Sequence, residues 1–251
     1  VNAALAEFLA GNIDIFNPST VDHISQIRQA VQQGRLDATI KVNASPVASS
    51  QFMVFNWNKA SDPFKQSLFR SDKFRRAMSH LVNRQAVIDI VYGGLGTPMY
   101  SSVYPVLTQW INPKVPKYEY DPKQAAKLLA ELGFTKKDRE GYLVDSKGRR
   151  IEFNLATNAG NTQREQIAKL IVDEAKKVGV KVNFQAIDFN TLVGQLLSSG
   201  PDRPFDAIII GLTGGGLDWP FGSNVVPCKG NLHMWNKSGQ CLDPRETLME
   251  K

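Results

Sequence analysis

Near the C-terminal end an apolar run passes directly into a glycine-rich segment and then an acid: Phe205-Asp206-Ala207-Ile208-Ile209-Ile210-Gly211-Leu212-Thr213-Gly214-Gly215-Gly216-Leu217-Asp218-Trp219-Pro220. Four apolar residues at 207–210 predict a fully buried strand of an α/β sheet. Ligands of open α/β sheets sit in the crevice beyond such strand ends. Gly214, Gly215 and Gly216 would let a ligand approach the backbone. Asp218 offers a carboxylate and Trp219 an apolar wall, and Phe189, further upstream, a second one. This is chemistry for gripping a small molecule that carries a positive group, not for turning one over. The same segment lacks the Lys-Ser/Thr of a P-loop and the Gly-x-Gly-x-x-Gly spacing, and Asp218 would repel a phosphate.

Catalysis finds little support elsewhere. The three histidines, His23, His80 and His233, form no His-Glu-x-x-His pair, and no Gly-x-Ser-x-Gly elbow occurs. Cys228, His233 and Cys241 are separated by four and then seven residues. That fits no common zinc spacing and leaves a fourth ligand missing, so no metal is expected. The two cysteines either form a disulfide around a 12-residue excursion, which suits an oxidising compartment, or stay as two thiols. No catalytic residue and no cofactor is assigned.

The elements that must position these residues are strands and helices intermixed, which predicts an α/β domain with a mixed sheet flanked by helices. Helices are expected over 2–10, 20–33 and 72–91, and after Asp121-Pro122, Thr162-Gln163-Arg164-Glu165 and Phe189. The stripe of the second holds Val21, Ile24, Ile27 and Val31. Asp72 is the expected cap of the third, whose stripe holds Phe74, Met78, Leu81, Ile88 and Val91. Strands are expected over 13–16, 51–57, 180–184 and 207–210, and a β-hairpin over 142–155. Asp62-Pro63 is read as a break. The proline-bearing stretch 96–118 is a long loop, the kind that often carries function.

Composition sets limits. With 251 residues, 42% hydrophobic, the chain can bury a sizeable core. Its net charge of +6 sits on dispersed basic pairs flanked by acids, which argues against nucleic acid. No window approaches the ~18 apolar residues of a membrane span. No leader pattern opens the chain, and the sequence begins and ends as a segment of a longer polypeptide would. With no apolar stripe left over, a monomer is expected.

Four blocks recur in a familiar order: Val54-Phe55-Asn56-Trp57-Asn58-Lys59; Phe74-Arg75-Arg76-Ala77-Met78 running to Val91-Tyr92-Gly93-Gly94-Leu95-Gly96-Thr97-Pro98; Tyr118-Glu119-Tyr120-Asp121-Pro122 running to Leu132-Gly133-Phe134; and the Phe205-Asp206 strand with its glycines. Together they resemble the family 5 extracellular solute-binding proteins, the peptide/nickel-type receptors of ABC importers. The resemblance covers essentially the whole chain. It implies one lobe of a two-lobed, type II periplasmic-binding-protein fold, with residues 1–251 as the second, inserted lobe and the first lobe outside this chain. It also implies a hinge-closing, extracytoplasmic receptor, free or lipid-anchored, that hands a captured solute to an ABC permease. A short peptide is the favoured solute. Asp218 stands near where peptide-binding members hold an acid for the ligand's α-amino group. Such members often carry a basic residue within the buried strand and an aromatic after it, where this chain has Ile209 and Leu212. An oligosaccharide receptor that uses Trp110, Trp219 and Trp235 is the alternative. A peptide hydrolase is more remote, and an extracytoplasmic chaperone without a small ligand is a third.

Overall fold

The computed structural model describes residues 2–18, 20–41, 49–213 and 224–249. In chain order the elements are α1 (Asn2–Leu9), α2 (Val21–Gln32), β1 (Ser49–Phe55), α3 (Pro63–Arg70), α4 (Asp72–Leu81), α5 (Arg84–Tyr92), a 3-10 turn (Thr108–Trp110), α6 (Pro122–Glu131), β2 (Lys136–Lys137), β3 (Leu143–Val144), β4 (Glu152–Asn158), α7 (Thr162–Val178), β5 (Lys181–Ile187), α8 (Phe189–Leu197), β6 (Ala207–Thr213) and α9 (Pro244–Met249). They form two compact units where the sequence suggests one domain. The first holds residues up to Pro46 together with Ala86–Thr97, and the second holds the rest.

In the first unit Leu5, Phe8 and Ile27 are the buried centre, with Phe16, Val31, Leu36 and Ile40 packed around them. Thr20 caps α2 by accepting from His23 N–H at 3.3 Å. The buried face of α2 is His23, Ile27 and Ala30, a rotation from the expected stripe that takes in the imidazole. Gly93 has a left-handed φ of +57°, and a Cβ there would meet Val21 Cγ2 at 2.8 Å, so a side chain would be both strained and crowded. The strand expected over 13–16 does not form. Ile15 is 82% exposed, and Phe16 stacks on Phe8 instead of joining a ladder.

The second unit is built on a four-stranded mixed sheet of order β1-β6-β4-β5. β1 runs antiparallel to β6, while β4 is parallel to both β6 and β5. Period-2 alternation sends Ile208 and Ile210 to one face, where Leu192 and Leu196 of α8, Phe205 and Met234 pack on them. Phe55 and Phe153 belong to a second aromatic cluster with Phe69 of α3 and Phe74 of α4, ring centroids 5.2–6.2 Å apart. Helices on both faces explain why β6 is an unbroken apolar run. Each buried phenylalanine contributes about 1.5–3 kcal/mol.

Five local expectations are corrected. Asp62-Pro63 starts α3 rather than breaking the chain: Asp62 accepts from Lys65 N–H at 3.0 Å and Pro63 occupies the first turn. The helix expected over 72–91 is two helices. Val82 is extended, and the carbonyls freed at the end of α4 are taken by the Arg84 guanidinium (Ser79, 3.2 Å) and by Asp121 N–H (His80, 2.9 Å). The cap of α4 is Ser71, while Asp72 pairs with Arg75, Arg76 and Arg245. The hairpin over 142–155 survives as a single bridge, Val144 to Arg150, because β3 pairs with β2 and β4 enters the main sheet. The capping box shifts by one residue: Asn161 caps α7 and Glu165 accepts from Gly160 N–H.

Asp206, 4% exposed, ties the base of the sheet together. Its carboxylate meets Lys65 Nζ at 2.8 Å, Lys59 Nζ at 3.3 Å and the backbone N–H of Asn154 at 3.0 Å. Asn56, fully buried, donates to the carbonyl of Phe205 at 2.7 Å and receives Asn58 N–H at 2.9 Å. Substitution Asp206→Ala leaves two inward-turned ammonium groups without their anion. It should lower stability by about 3 kcal/mol, read as a shift of the urea midpoint of the complete protein.

Candidate functional site

The parallel strands β4, β5 and β6 end on the same side of the sheet, at Asn158, Ile187 and Thr213. Such carboxyl ends are where open α/β sheets take ligands. Beyond β4 the chain turns through Gly160 into α7, and beyond β5 it passes Asp188 into α8. Asp188 caps that helix by accepting from Thr191 N–H at 3.0 Å. Beyond β6 comes the glycine-rich segment. Gly214, Gly215, Gly216, Asp218 and Trp219 all lie outside the described residues. Phe189 is the first residue of α8 and is 51% exposed, so it is not core packing but an apolar surface beside the strand ends.

Sequence reasoning missed five polar residues at this edge: Gln51, Tyr104, Thr157, Asn158 and Arg164. Arg164, in the first turn of α7, donates to Asn158 Oδ1 and to Gln51 Oε1, both at 2.8 Å. It thereby links the end of β4 to β1. Gln51 lies over Gly211, where a Cβ would meet its amide nitrogen at 2.6 Å. Thr157 Oγ1 donates to the Ile209 carbonyl at 2.9 Å. Tyr104, buried in the long loop beside Leu107, donates to the Leu212 carbonyl at 3.4 Å. The loop is thus fastened to the end of β6, just before the glycines. These residues supply hydrogen-bond donors and acceptors around the crevice, held by one another. Their only advance signal is position at strand ends, which needs the register to be known.

A second constellation lies where α9 meets the segment 225–236. Cys228 and Cys241 are joined as a disulfide. Glu246, 2% exposed, accepts from Trp235 Nε1 at 2.6 Å, Leu242 N–H at 2.6 Å and Asp243 N–H at 3.2 Å, and it faces His233 Nε2 at 2.9 Å. Burial pushes the Glu246 carboxyl up, but hydrogen bonds from Leu242, His233, Trp235 and Asn236 outweigh it and hold the group below the usual range. The Arg245 guanidinium beside Asp243 holds that carboxyl down at about 2. Trp235 is thereby committed: its ring lies against His233 at 4.0 Å and Trp57 at 6.5 Å. An oligosaccharide platform loses this tryptophan, while Trp110 is 41% exposed.

Two outcomes follow. Phe189→Ala should change the unfolding free energy by no more than about 0.5 kcal/mol, since half of the ring already faces water; denaturant unfolding checks this. Asp243 and Glu246 are depressed acids, so they stabilise the fold above the ordinary carboxylate range and lose that contribution as pH falls through their folded values. The near-UV signal of Trp235, whose indole donates to Glu246, should therefore weaken as pH falls below the ordinary carboxylate range.

Residues 1–230 match the family described as "Bacterial extracellular solute-binding proteins, family 5 Middle". A "Probable ABC transporter-binding protein" of Deinococcus radiodurans is 52% identical over 98% of this chain and 43% of its own length. The oligopeptide-binding protein AppA of Bacillus subtilis is 32% identical over 84% of this chain and 36% of its own length. The solved structure of AppA in complex with a nonapeptide superposes with a TM-score of 0.70, at 26% identity, over 99% of this chain and 46% of that one. The chain thus spans less than half the length of these relatives.

Proposed function

Since this chain belongs to the family 5 bacterial extracellular solute-binding proteins, we propose that it is the second, inserted lobe of an ABC-importer receptor that captures short peptides outside the cytoplasmic membrane. The observation that carries this reading is the superposition of 99% of the chain on 46% of a receptor whose structure holds a nonapeptide. The rest of such a receptor supplies the first lobe, and the solute is enclosed between the two. The task is binding, not turnover. Contacts made in both lobes stabilise the closed form over the open one, and a permease that distinguishes the two forms takes the cargo. The disulfide suits the oxidising compartment in which such a receptor works.

Asp218 receives the peptide ammonium, Gly214 to Gly216 present backbone groups to the peptide chain, and Trp219 and Phe189 supply apolar contact. Supporting this, Phe189 and the polar pair Arg164 and Asn158 stand at the carboxyl ends of the strands, and the glycines follow β6 directly in the chain.

Native mass spectrometry of the gently purified complete receptor should release a mixed set of short peptides. A sugar, a metal chelate or no cargo would remove the peptide reading. In titration calorimetry, Asp218→Ala should weaken peptide binding about 10- to 100-fold, the equivalent of a shielded ion-pair hydrogen bond of about 1.5–3 kcal/mol. Unchanged affinity would strike Asp218 from the site.

A further inference from the structure

The buried constellation beside α9 contains more than a latch. The sulfur of Cys228, a ring nitrogen of His233 and a carboxylate oxygen of Glu246 all lie within 4.8 Å of one another, and all three residues are buried. The sulfur of Cys241 is bonded to that of Cys228 and so belongs to the same group. We propose that, once the disulfide is reduced, Cys228, Cys241, His233 and Glu246 hold a zinc ion.

Two thiolates, an imidazole and a carboxylate are all zinc donors, and four ligands complete its tetrahedron. The cysteine and histidine spacing leaves a fourth ligand missing in the sequence, and the fold supplies Glu246. The histidine is already oriented. Its Nδ1 lies 3.0 Å from the Val225 carbonyl, which can only accept, so Nδ1 carries a proton and Nε2 is turned to Glu246. A zinc-bound histidine is held by an outer partner in the same way. Nε2 and Oε1 are 2.9 Å apart. Zinc bonds of about 2.0–2.2 Å at a tetrahedral angle would set them roughly 3.3 Å apart, so the ion takes the place of the shared proton with a small widening. The sulfurs must separate to roughly 3.8 Å. Cys241 can move, since it is half-buried and sits outside helix and strand. The net single negative charge of the site falls within the field of Arg70, which already feels Glu246.

The chemistry balances with a phosphine as reductant. Its electron pair cleaves the S–S bond and water supplies the oxygen of the phosphine oxide. Its two hydrogens end on the two sulfurs as thiols. Zinc then displaces both thiol protons, and the proton shared by His233 Nε2 and Glu246 Oε1, to solvent. Residues 225–236 and 241–246 are therefore joined either covalently or through a metal.

The complete receptor would be reduced with a phosphine under anaerobic conditions, desalted, and titrated with zinc chloride against a chromophoric chelator. One zinc per chain is expected for the reduced form and none at this site for the oxidised form. Cobalt in place of zinc should give a thiolate-to-metal charge-transfer band. Cys228→Ser and Cys241→Ser should each lose that band in part and weaken zinc binding at least ~10-fold, the scale already reached by losing an outer partner. Glu246→Gln risks the fold, because Glu246 accepts so many hydrogen bonds. The cysteine variants leave those bonds intact and carry the test. The proposal is overturned by zinc binding that ignores the cysteine substitutions, by a cobalt spectrum without the thiolate band, or by a reduced receptor whose lost near-UV signal zinc does not restore. Peptide affinity of the oxidised receptor is a separate measurement, so failure of the peptide reading would leave this result standing.

Discussion

The buried carboxylate of Asp206 is the interaction on which the sheet depends. It stands at the entrance to β6 and collects one ammonium from the chain beyond β1, one from α3 and a backbone N–H from β4. Charge-assisted bonds of this kind are short and directional, and a buried anion that lost them would be costly. The consequence is positional. With Asn56 holding the Phe205 carbonyl beside it, β6 enters the sheet between an antiparallel and a parallel neighbour in a fixed register. Fixing the entrance of the strand also fixes where its other end emerges. That end is where Thr157, Gln51 and Arg164 gather, at the edge that leads to the glycine segment.

Much of this architecture can be read from residue order, because burial and capping are local in sequence. The apolar run of β6 and the left-handed Gly179 that ends α7 follow from single-residue physics. Where the reading fails, a tertiary partner decides. Asp62-Pro63 and Asp121-Pro122 are the same dipeptide with the same capping geometry, yet only the second is followed by an obvious apolar stripe; α3 shows its buried Leu68 and Phe69 only once the aromatic cluster exists. A helix continuous over 72–91 satisfies every local preference. It is interrupted at Val82 because Arg84 and the distant Asp121 offer better partners to the carbonyls. The turn at Asp145 is real, but β4 finds more to bond with in β5 and β6 than in β3.

The site was less legible than the fold. An exposed Phe189 and a committed Trp235 are both aromatic residues near strands, and nothing in the sequence separates them. Burial and hydrogen-bond partners do. Glu246 follows His233 by 13 residues without matching a common zinc spacing, and the docking of α9 brings it to His233 and the cystine. Gln51, Asn158 and Arg164 come from three elements, so their meeting is a property of strand register alone.

The antiparallel pairing of β1 with β6 also has a bearing on how the chain acquires its structure. Ser49–Phe55 lies at the sheet edge and finds its partner in Ala207–Thr213, with nearly all of this unit's other elements made in between. During synthesis from the N-terminus the apolar Phe52-Met53-Val54-Phe55 must wait unpaired until that late strand arrives. Long-range closure of this kind is slow and leaves a sticky edge open meanwhile. Until β6 has been delivered, β1 has no partner and the parallel pair β4–β5 has nothing to join it to β1.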